Sequence, residues 1–90
     1  FGLSNYKPIF RTNNCFCTGN LRLMGKEKTH IKFEIKDSQD FKIQAIGFNM
    51  SEHYEQINNK ESFDILYTIS RNTFNNSTSI ELNLKSISFK

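Results

Sequence analysis

The sequence is poor in the residues that break regular structure or carry cofactors. It has no tryptophan, one proline, four glycines and two histidines among 90 residues. So little proline and glycine excludes a low-complexity segment or a flexible linker. We find no signal peptide and no apolar run long enough to span a bilayer, and therefore expect no membrane partner. A chain of this length makes one domain with a modest core.

The two cysteines, Cys15 and Cys17, are separated by one residue. On a strand, such neighbours point the same way at roughly 7 Å, which is too far for an unstrained disulfide. A closed zinc site needs four ligands, and the sequence has no second pair of cysteines. We therefore expect two free thiols that behave as small hydrophobic side chains in a reduced, cytoplasmic protein.

Catalytic patterns are also missing. Neither His30 nor His53 has carboxylates or cysteines around it at metal-ligand spacing. No glycine-rich phosphate loop and no nucleophile elbow occurs. We expect no catalytic residue, no metal ligand and no cofactor in this chain.

The charged residues are unevenly distributed along the sequence. Residues 1–45 carry a net charge of +4 and residues 46–90 a net charge of −1, for a total of +3. A basic bias in one half suits a surface that faces phosphates. An ordinary solvated face gives the same bias, and charge alone favours that simpler interpretation.

Alternating apolar and polar residues predict five strands. They cover residues 12–24, 29–36, 41–48, 62–71 and 78–89, with Ile69 pointing inward and Phe41 on the same face as Ile43 and Ala45. Between the third and fourth strands, apolar residues at positions 50, 54 and 57 predict a short helix. Gly19 interrupts the first strand and predicts a bend. In the last strand the apolar parity changes near Lys85, which predicts a bulge there.

This order of elements indicates an all-β fold. Three strands, a short helix and two strands match the OB fold, a five-stranded Greek-key barrel that binds oligonucleotides or oligosaccharides. We assign residues 12–90 to the barrel and residues 1–11 to a connector or arm from a preceding domain. Because the chain begins at Phe1, we expect it to be a piece of a larger protein. An open sheet or another small barrel would have the same order of elements.

Ligands of OB barrels lie across strands two and three, between the loops that join strands one to two and four to five. Here those loops are residues 25–28 and 72–77. Single strands require cations along the backbone and flat surfaces for the bases. The candidate nucleic-acid-binding residues are cations, polar turn residues and rings on these elements: Arg22, Lys26, Lys28, His30, Lys32, Arg71, Asn72, Phe74, Asn75 and Lys85.

Each of these residue types also has a purely structural interpretation. Phe74 is as well suited to capping the open end of the barrel as to stacking on a base. His30 is suited to a hydrogen bond with a neighbouring backbone group. Asn75 and Asn76 tolerate the positive φ angles of a tight turn. Lys32 is typical of an exposed sheet face.

Five short motifs follow one another along nearly the whole chain. They are Phe1-Gly2-x-x-Asn5-x-x-Pro8-x-Phe10; Gly25-Lys26 with His30-Ile31-Lys32; Ala45-Ile46-Gly47-Phe48; Asn72-x-Phe74-Asn75-Asn76; and Ile80-Glu81-Leu82 with Leu84-Lys85-Ser86-Ile87. Together they resemble the C-terminal nucleic-acid-binding barrel of the RecJ single-stranded-DNA-specific exonucleases. Each motif is short, but the ordered set is fairly specific.

The sequence departs from the family pattern at five positions. Ser4, Phe74, Asn76, Glu81 and Ser86 stand where Gly, Trp, Gly, Gln and Asp are usual. Phe74 retains a ring for stacking, and Asn76 still suits the turn. Glu81 replaces a neutral hydrogen-bonding group with a negative charge, which disfavours a DNA contact at that position.

The resemblance implies a parent enzyme that degrades single-stranded DNA from its 5′ end. Its divalent metal ions, Mg or Mn, would be held by Asp/His motifs of the DHH superfamily, and those motifs are not in this chain. The implied role is an accessory barrel that holds the strand for a separate catalytic core in DNA repair and recombination. The implied partners are single-stranded DNA, the DHH-type core of the same chain and a single-stranded-DNA-binding protein. The alternative is a structural or protein-docking module.

Overall fold

A computed structural model describes residues 7–89, apart from the side chains of Asn72 and Phe74. Its elements are β1 (Phe10–Met24), β2 (His30–Lys36), β3 (Lys42–Gly47), a 3-10 turn (Ser51–His53), α1 (Tyr54–Asn58), β4 (Phe63–Phe74) and β5 (Ser77–Phe89). The five strands form a closed barrel in the order β1-β2-β3-β5-β4. The predicted OB architecture, with a short helix between the third and fourth strands, is confirmed.

The core follows from the alternation in β2. Ile31, Phe33 and Ile35 are buried, while the residues between them are half-exposed. Phe33 meets Phe63 of β4 edge-to-face, with ring centroids 6.1 Å apart. Such ring pairs contribute about 0.5–1.5 kcal/mol beyond the area that they bury. The inner face of β2 is therefore tied to the opposite side of the barrel.

β1 is long enough to pair with two strands because it bends. Its register with β2 shifts on both sides of Gly19, and its register with β4 shifts between Thr12 and Cys15. Each shift inserts a bulge residue that increases the local twist. The bend predicted at Gly19 is confirmed, and the strand starts at Phe10, two residues before the predicted start.

β5 contains the predicted bulge. Leu84 pairs with Tyr67 and Ser86 pairs with Leu66, so Lys85 is the extra residue. The insertion reverses which parity faces inward: Leu84 is buried before it, and Ile87 packs against the core after it.

The helical segment closes one end of the barrel. Ile57 in α1 is fully buried, and Met50 and Tyr54 pack against the same core. The helical spacing of positions 50, 54 and 57 is thereby confirmed. The opposite end of the barrel is not closed by a helix among the described residues.

β4 and β5 extend beyond the barrel as a hairpin. The described pairs between β1 and β4 end at Tyr67, and those between β3 and β5 begin at Glu81. Residues 71–80, here called the hairpin arm, therefore project as two strands paired only with each other, whereas residues 68–70 still pair with Glu81, Leu82 and Asn83 of the barrel. The turn is Asn75-Asn76, with φ angles of 52° and 66°, as a type I′ turn requires. β4 ends at Phe74 and β5 begins at Ser77, so both strands extend into the loop predicted at residues 72–77.

Candidate nucleic-acid interface

The surface predicted to bind nucleic acid is the outward side of β2 and β3, which β1 and β5 continue on either side. Because side chains alternate along a strand, it carries the residues that lie between the buried ones. Two cross-strand rows define this outward face: Arg22, Lys32, Ile46 and Asn83 in one, and Gly19, Glu34, Gln44 and Glu81 in the other. The first row begins with two cations, and the second contains two carboxylates.

Lys32 is paired with one of those carboxylates. Its Nζ lies 3.1 Å from Glu81 Oε2, and the two side chains are 27% and 15% exposed. The pair joins β2 to β5 across β3. The positive charge of Lys32 is therefore balanced within the barrel.

The outward face carries a second carboxylate, that of Glu34, in the same cross-strand row as Glu81. Thr18 Oγ1 lies 2.6 Å from Glu34 Oε1, to which it donates a hydrogen bond. Between the two carboxylates, Gln44 Oε1 is buried and has no hydrogen-bond partner among the described residues. Glu34 shares the alternation of Lys32 in β2, but the sequence analysis gave it no effect on binding.

Three exposed cations lie at one end of the outward face. Lys26 and Lys28 are exposed in the turn between β1 and β2, which is closed by a 3.1 Å bond from the Lys28 N–H to the Gly25 carbonyl. Arg22 is exposed next to Lys32, and its Nη1 donates to the Asn20 carbonyl at 3.2 Å. Arg22, Lys26 and Lys28 are here called the basic end.

His30 follows this turn and is held by its neighbours. The Asn49 N–H donates to His30 Nδ1 at 3.0 Å, and the imidazole meets the Phe48 ring edge-on at 5.1 Å. A backbone hydrogen bond was the structural alternative for His30, and the structure shows that bond. The Phe48 ring is half exposed, and the sequence analysis did not include it among the candidate residues. In the predicted strand 41–48 it shares the parity of Ile46, although β3 ends one residue earlier, at Gly47.

The hairpin arm carries four of the predicted binding residues: Arg71, Asn72, Phe74 and Asn75. Arg71 is exposed, pairs with Ile80 and shares the face of Ile69 by alternation. Asn75 is exposed in the turn. The side chains of Asn72 and Phe74 lie outside the described part, so base stacking and core capping by Phe74 both stay predictions.

Lys85 is separate from the other predicted residues. It is exposed at the bulge of β5, two residues beyond Asn83, the last residue of the described pairing with β3.

The open end of the barrel forms a cavity of about 260 Å³, here called the barrel mouth. Its lining is mostly apolar and consists of Thr12, Cys15, Ile35, Asp37, Phe41, Ile43, Ile65, Tyr67, Ile69, Ile80 and Leu82. Phe41, Ile80 and Ile69 are 63%, 52% and 46% exposed at this mouth. Ile69 was predicted to point inward, and Phe41 was predicted to share a face with Ile43 and Ala45. Both line the mouth, but Phe41 precedes β3 and Ile69 lies beyond the pairing of β4 with β1, so no described strand covers either side chain.

Comparison with known families agrees with this architecture. A model of the RecJ OB domain matches residues 1–86, from the segment before β1 into β5. The chain belongs to the RecJ OB domain family. No curated protein matches it.

The described part of this RecJ-family domain has no clustered metal ligands, and its two thiols are buried. Residues 7–89 contain no cluster of three or more His, Cys, Asp or Glu side chains suited to a metal ion, and no helix long and apolar enough to cross a bilayer. Cys15 and Cys17 are free and buried. Burial, followed by the charges of Asp37 and Asp64, raises the pKa of Cys15 to about 11. Burial also raises the pKa of Cys17. Both thiols are therefore protonated, and poor nucleophiles, at neutral pH.

Proposed function

We propose that this RecJ-family OB domain binds single-stranded DNA as an accessory module of a RecJ-like 5′-to-3′ exonuclease. It holds the strand for a separate DHH-type core, which supplies the Mg or Mn chemistry, in cytoplasmic DNA repair and recombination. Family membership supports this role. The observation that carries the proposal is the basic end, where the exposed cations Arg22, Lys26 and Lys28 outnumber Glu27, the exposed carboxylate of the same turn.

The basic end and the exposed ring next to it provide the two elements that a single strand needs. The three cations follow phosphates, and Phe48 offers a flat surface to a base. At the centre of the outward face, the carboxylate of Glu34 repels phosphates and Glu81 neutralises Lys32. We therefore expect weak binding by the isolated domain, with a salt slope of about −2 for three neutralised phosphates on a single strand.

Fluorescence anisotropy with a labelled oligonucleotide, titrated across a series of salt concentrations, tests the proposal. Lys26→Ala should weaken binding and make the salt slope shallower by about 0.7. Lys7→Ala removes an exposed lysine from outside the basic end and serves as the matched control. A folded domain that binds no oligonucleotide at low salt would refute the proposal.

A second function, docking on the nuclease core, is favoured by a different surface. Leu66 in β4 is exposed and pairs with Arg11 in β1, and Ile9 is exposed on the same side by alternation. These apolar side chains lie on the β1–β4 side of the barrel, away from the basic end. If this side docks, Leu66→Lys should weaken binding to a separately expressed core, measured by calorimetry, and leave oligonucleotide binding unchanged. Unchanged core binding would eliminate this function.

A further inference from the structure

The barrel mouth has the size of a site for a single ring. Its volume of about 260 Å³ lies just below the range of roughly 300–1,000 Å³ that drug-sized ligands occupy. Ile35, Ile65 and Leu82, which line the cavity, are buried, and the exposed Phe41, Ile69 and Ile80 stand around its opening. The cavity therefore presents an apolar slot open to solvent.

A few polar groups interrupt this apolar lining. Thr12 Oγ1 and Tyr67 Oη are 2.9 Å apart and share one hydrogen bond, which leaves hydrogen-bonding capacity on both hydroxyls. Asp37 Oδ1 accepts the N–H groups of Gln39 and Phe41 at 2.9 and 3.0 Å, so the turn holds the carboxylate in place. A carboxylate has about four acceptor sites, and Asp37 can accept further hydrogen bonds.

The charge at the edge of the mouth suits a phosphate. Arg71, on the hairpin arm, follows Ile69 by two residues and pairs across the arm with Ile80. By alternation its side chain starts from the face that continues the mouth. A ligand with its ring in the cavity would thus find a cation next to the opening, which is the arrangement expected for a nucleotide.

We propose that the barrel mouth is a subsite for one unstacked nucleobase of a single strand. The base lies against Phe41 and Ile80, its N–H groups donate to Asp37, and a neighbouring phosphate contacts Arg71. This inference rests on the proposed function and assigns one of its contacts to a surface separate from the outward face. An apolar peptide side chain fits less well, because it would desolvate Asp37 and the two hydroxyls without replacing their hydrogen bonds.

Nuclear magnetic resonance of the ¹⁵N-labelled domain tests whether a base enters. Deoxyadenosine 5′-monophosphate should shift the backbone amides of Thr12, Phe41, Ile69 and Ile80 in a saturable way. The same concentration of 2-deoxyribose 5-phosphate, which lacks a base, should shift them much less. Equal shifts with the two probes would overturn the inference.

A substitution that fills the mouth separates this site from the outward face. Ile80→Trp places a large side chain at the exposed opening and should weaken mononucleotide binding by roughly fivefold or more, the scale of one lost base contact. Ile9→Trp makes the same change at an exposed residue that does not line the cavity. It should leave binding unchanged. Equal affinities for the two variants would overturn the inference.

Two further outcomes decide the remaining alternatives. If N-acetylphenylalaninamide shifts the same amides as strongly as the nucleotide, the mouth is a pocket for peptide side chains and the inference fails. If a labelled oligonucleotide binds Ile80→Trp as well as the unchanged domain while Lys26→Ala weakens it, the proposed function stands and only this inference fails. The absence of all oligonucleotide binding at low salt would instead refute the proposed function.

Discussion

Lys32 and Glu81 form an ion pair that joins two strands of the barrel with a third strand between them. Lys32 Nζ lies 3.1 Å from Glu81 Oε2, with β3 between β2 and β5. A phosphate that approaches Lys32 must compete with this carboxylate. If the outward face binds DNA as proposed, Glu81 is the residue that most directly limits a contact with Lys32.

Glu81→Gln should strengthen binding to single-stranded DNA. Without the carboxylate, Lys32 is able to contact a phosphate, so the salt slope should become steeper by about 0.7. Anisotropy titrations at several salt concentrations measure both changes. Glu55→Gln makes the same charge change at an exposed position on α1 and is the control. An equal gain in both variants would mean that net charge, rather than the pair with Lys32, sets the affinity.

Gly25→Ala should destabilise the barrel. Gly25 has a φ of +93°, and an added Cβ would lie 2.8 Å from Cδ2 of His30. A backbone that disfavours alanine and a close contact together should cost about 1 kcal/mol or more. Thermal unfolding should shift downward by about 4–8 °C for each kcal/mol.

A second substitution separates these two causes. In the His30→Ala background the close contact is absent and the backbone strain remains. Gly25→Ala should therefore cost less free energy there than in the unchanged domain. An identical cost in both backgrounds would show that the contact with His30 contributes nothing.

Phe74→Ala distinguishes the two interpretations of the hairpin tip. We expect weaker binding to single-stranded DNA with little change in the melting temperature, because Phe74 is the last residue of β4, next to the turn of the hairpin arm. Phe63→Ala, at a fully buried ring, gives the reference for a core loss of about 3–5 kcal/mol. A comparable loss in Phe74→Ala would identify Phe74 as a core cap.

The buried thiol of Cys15 makes stability depend on alkaline pH. The pKa rises from 9.0 to about 11 on folding, so the unfolded chain releases its proton at a lower pH than the folded protein. This thiol therefore lowers the free energy of unfolding as pH increases from 9 to about 11 and has no such effect well below 9. Urea denaturation of the unchanged domain and Cys15→Ala should show a steeper alkaline decline in the former. Parallel declines would contradict the assignment.

Local patterns predicted much of the fold. The alternation of Ile31, Phe33 and Ile35 identified β2, Gly19 marked the bend of β1, and the change of parity around Lys85 located the bulge of β5. Each of these features depends on residues close together in sequence. For that reason they are visible before any tertiary contact is known.

The charge pairing and the barrel mouth could not be predicted in the same way. Lys32 meets Glu81 because β3 and β5 pair in parallel, and that register depends on long-range closure. Ile69 has the inward parity of a core residue, yet it is exposed because β4 continues beyond its pairing with β1. A hydrophobic period cannot show where a barrel ends along a strand.

The pairing of β5 with both β3 and β4 has a consequence for how the domain folds. β5 supplies the connection between these two strands, so the ring of hydrogen bonds stays incomplete until β5 has been synthesised. Contacts between residues far apart in sequence slow folding, because a long loop must close before they stabilise the chain. Before β5 arrives, β3 and β4 expose unpaired edges on which nascent chains can associate. The domain should therefore fold slowly and aggregate most readily when translation stops within β5.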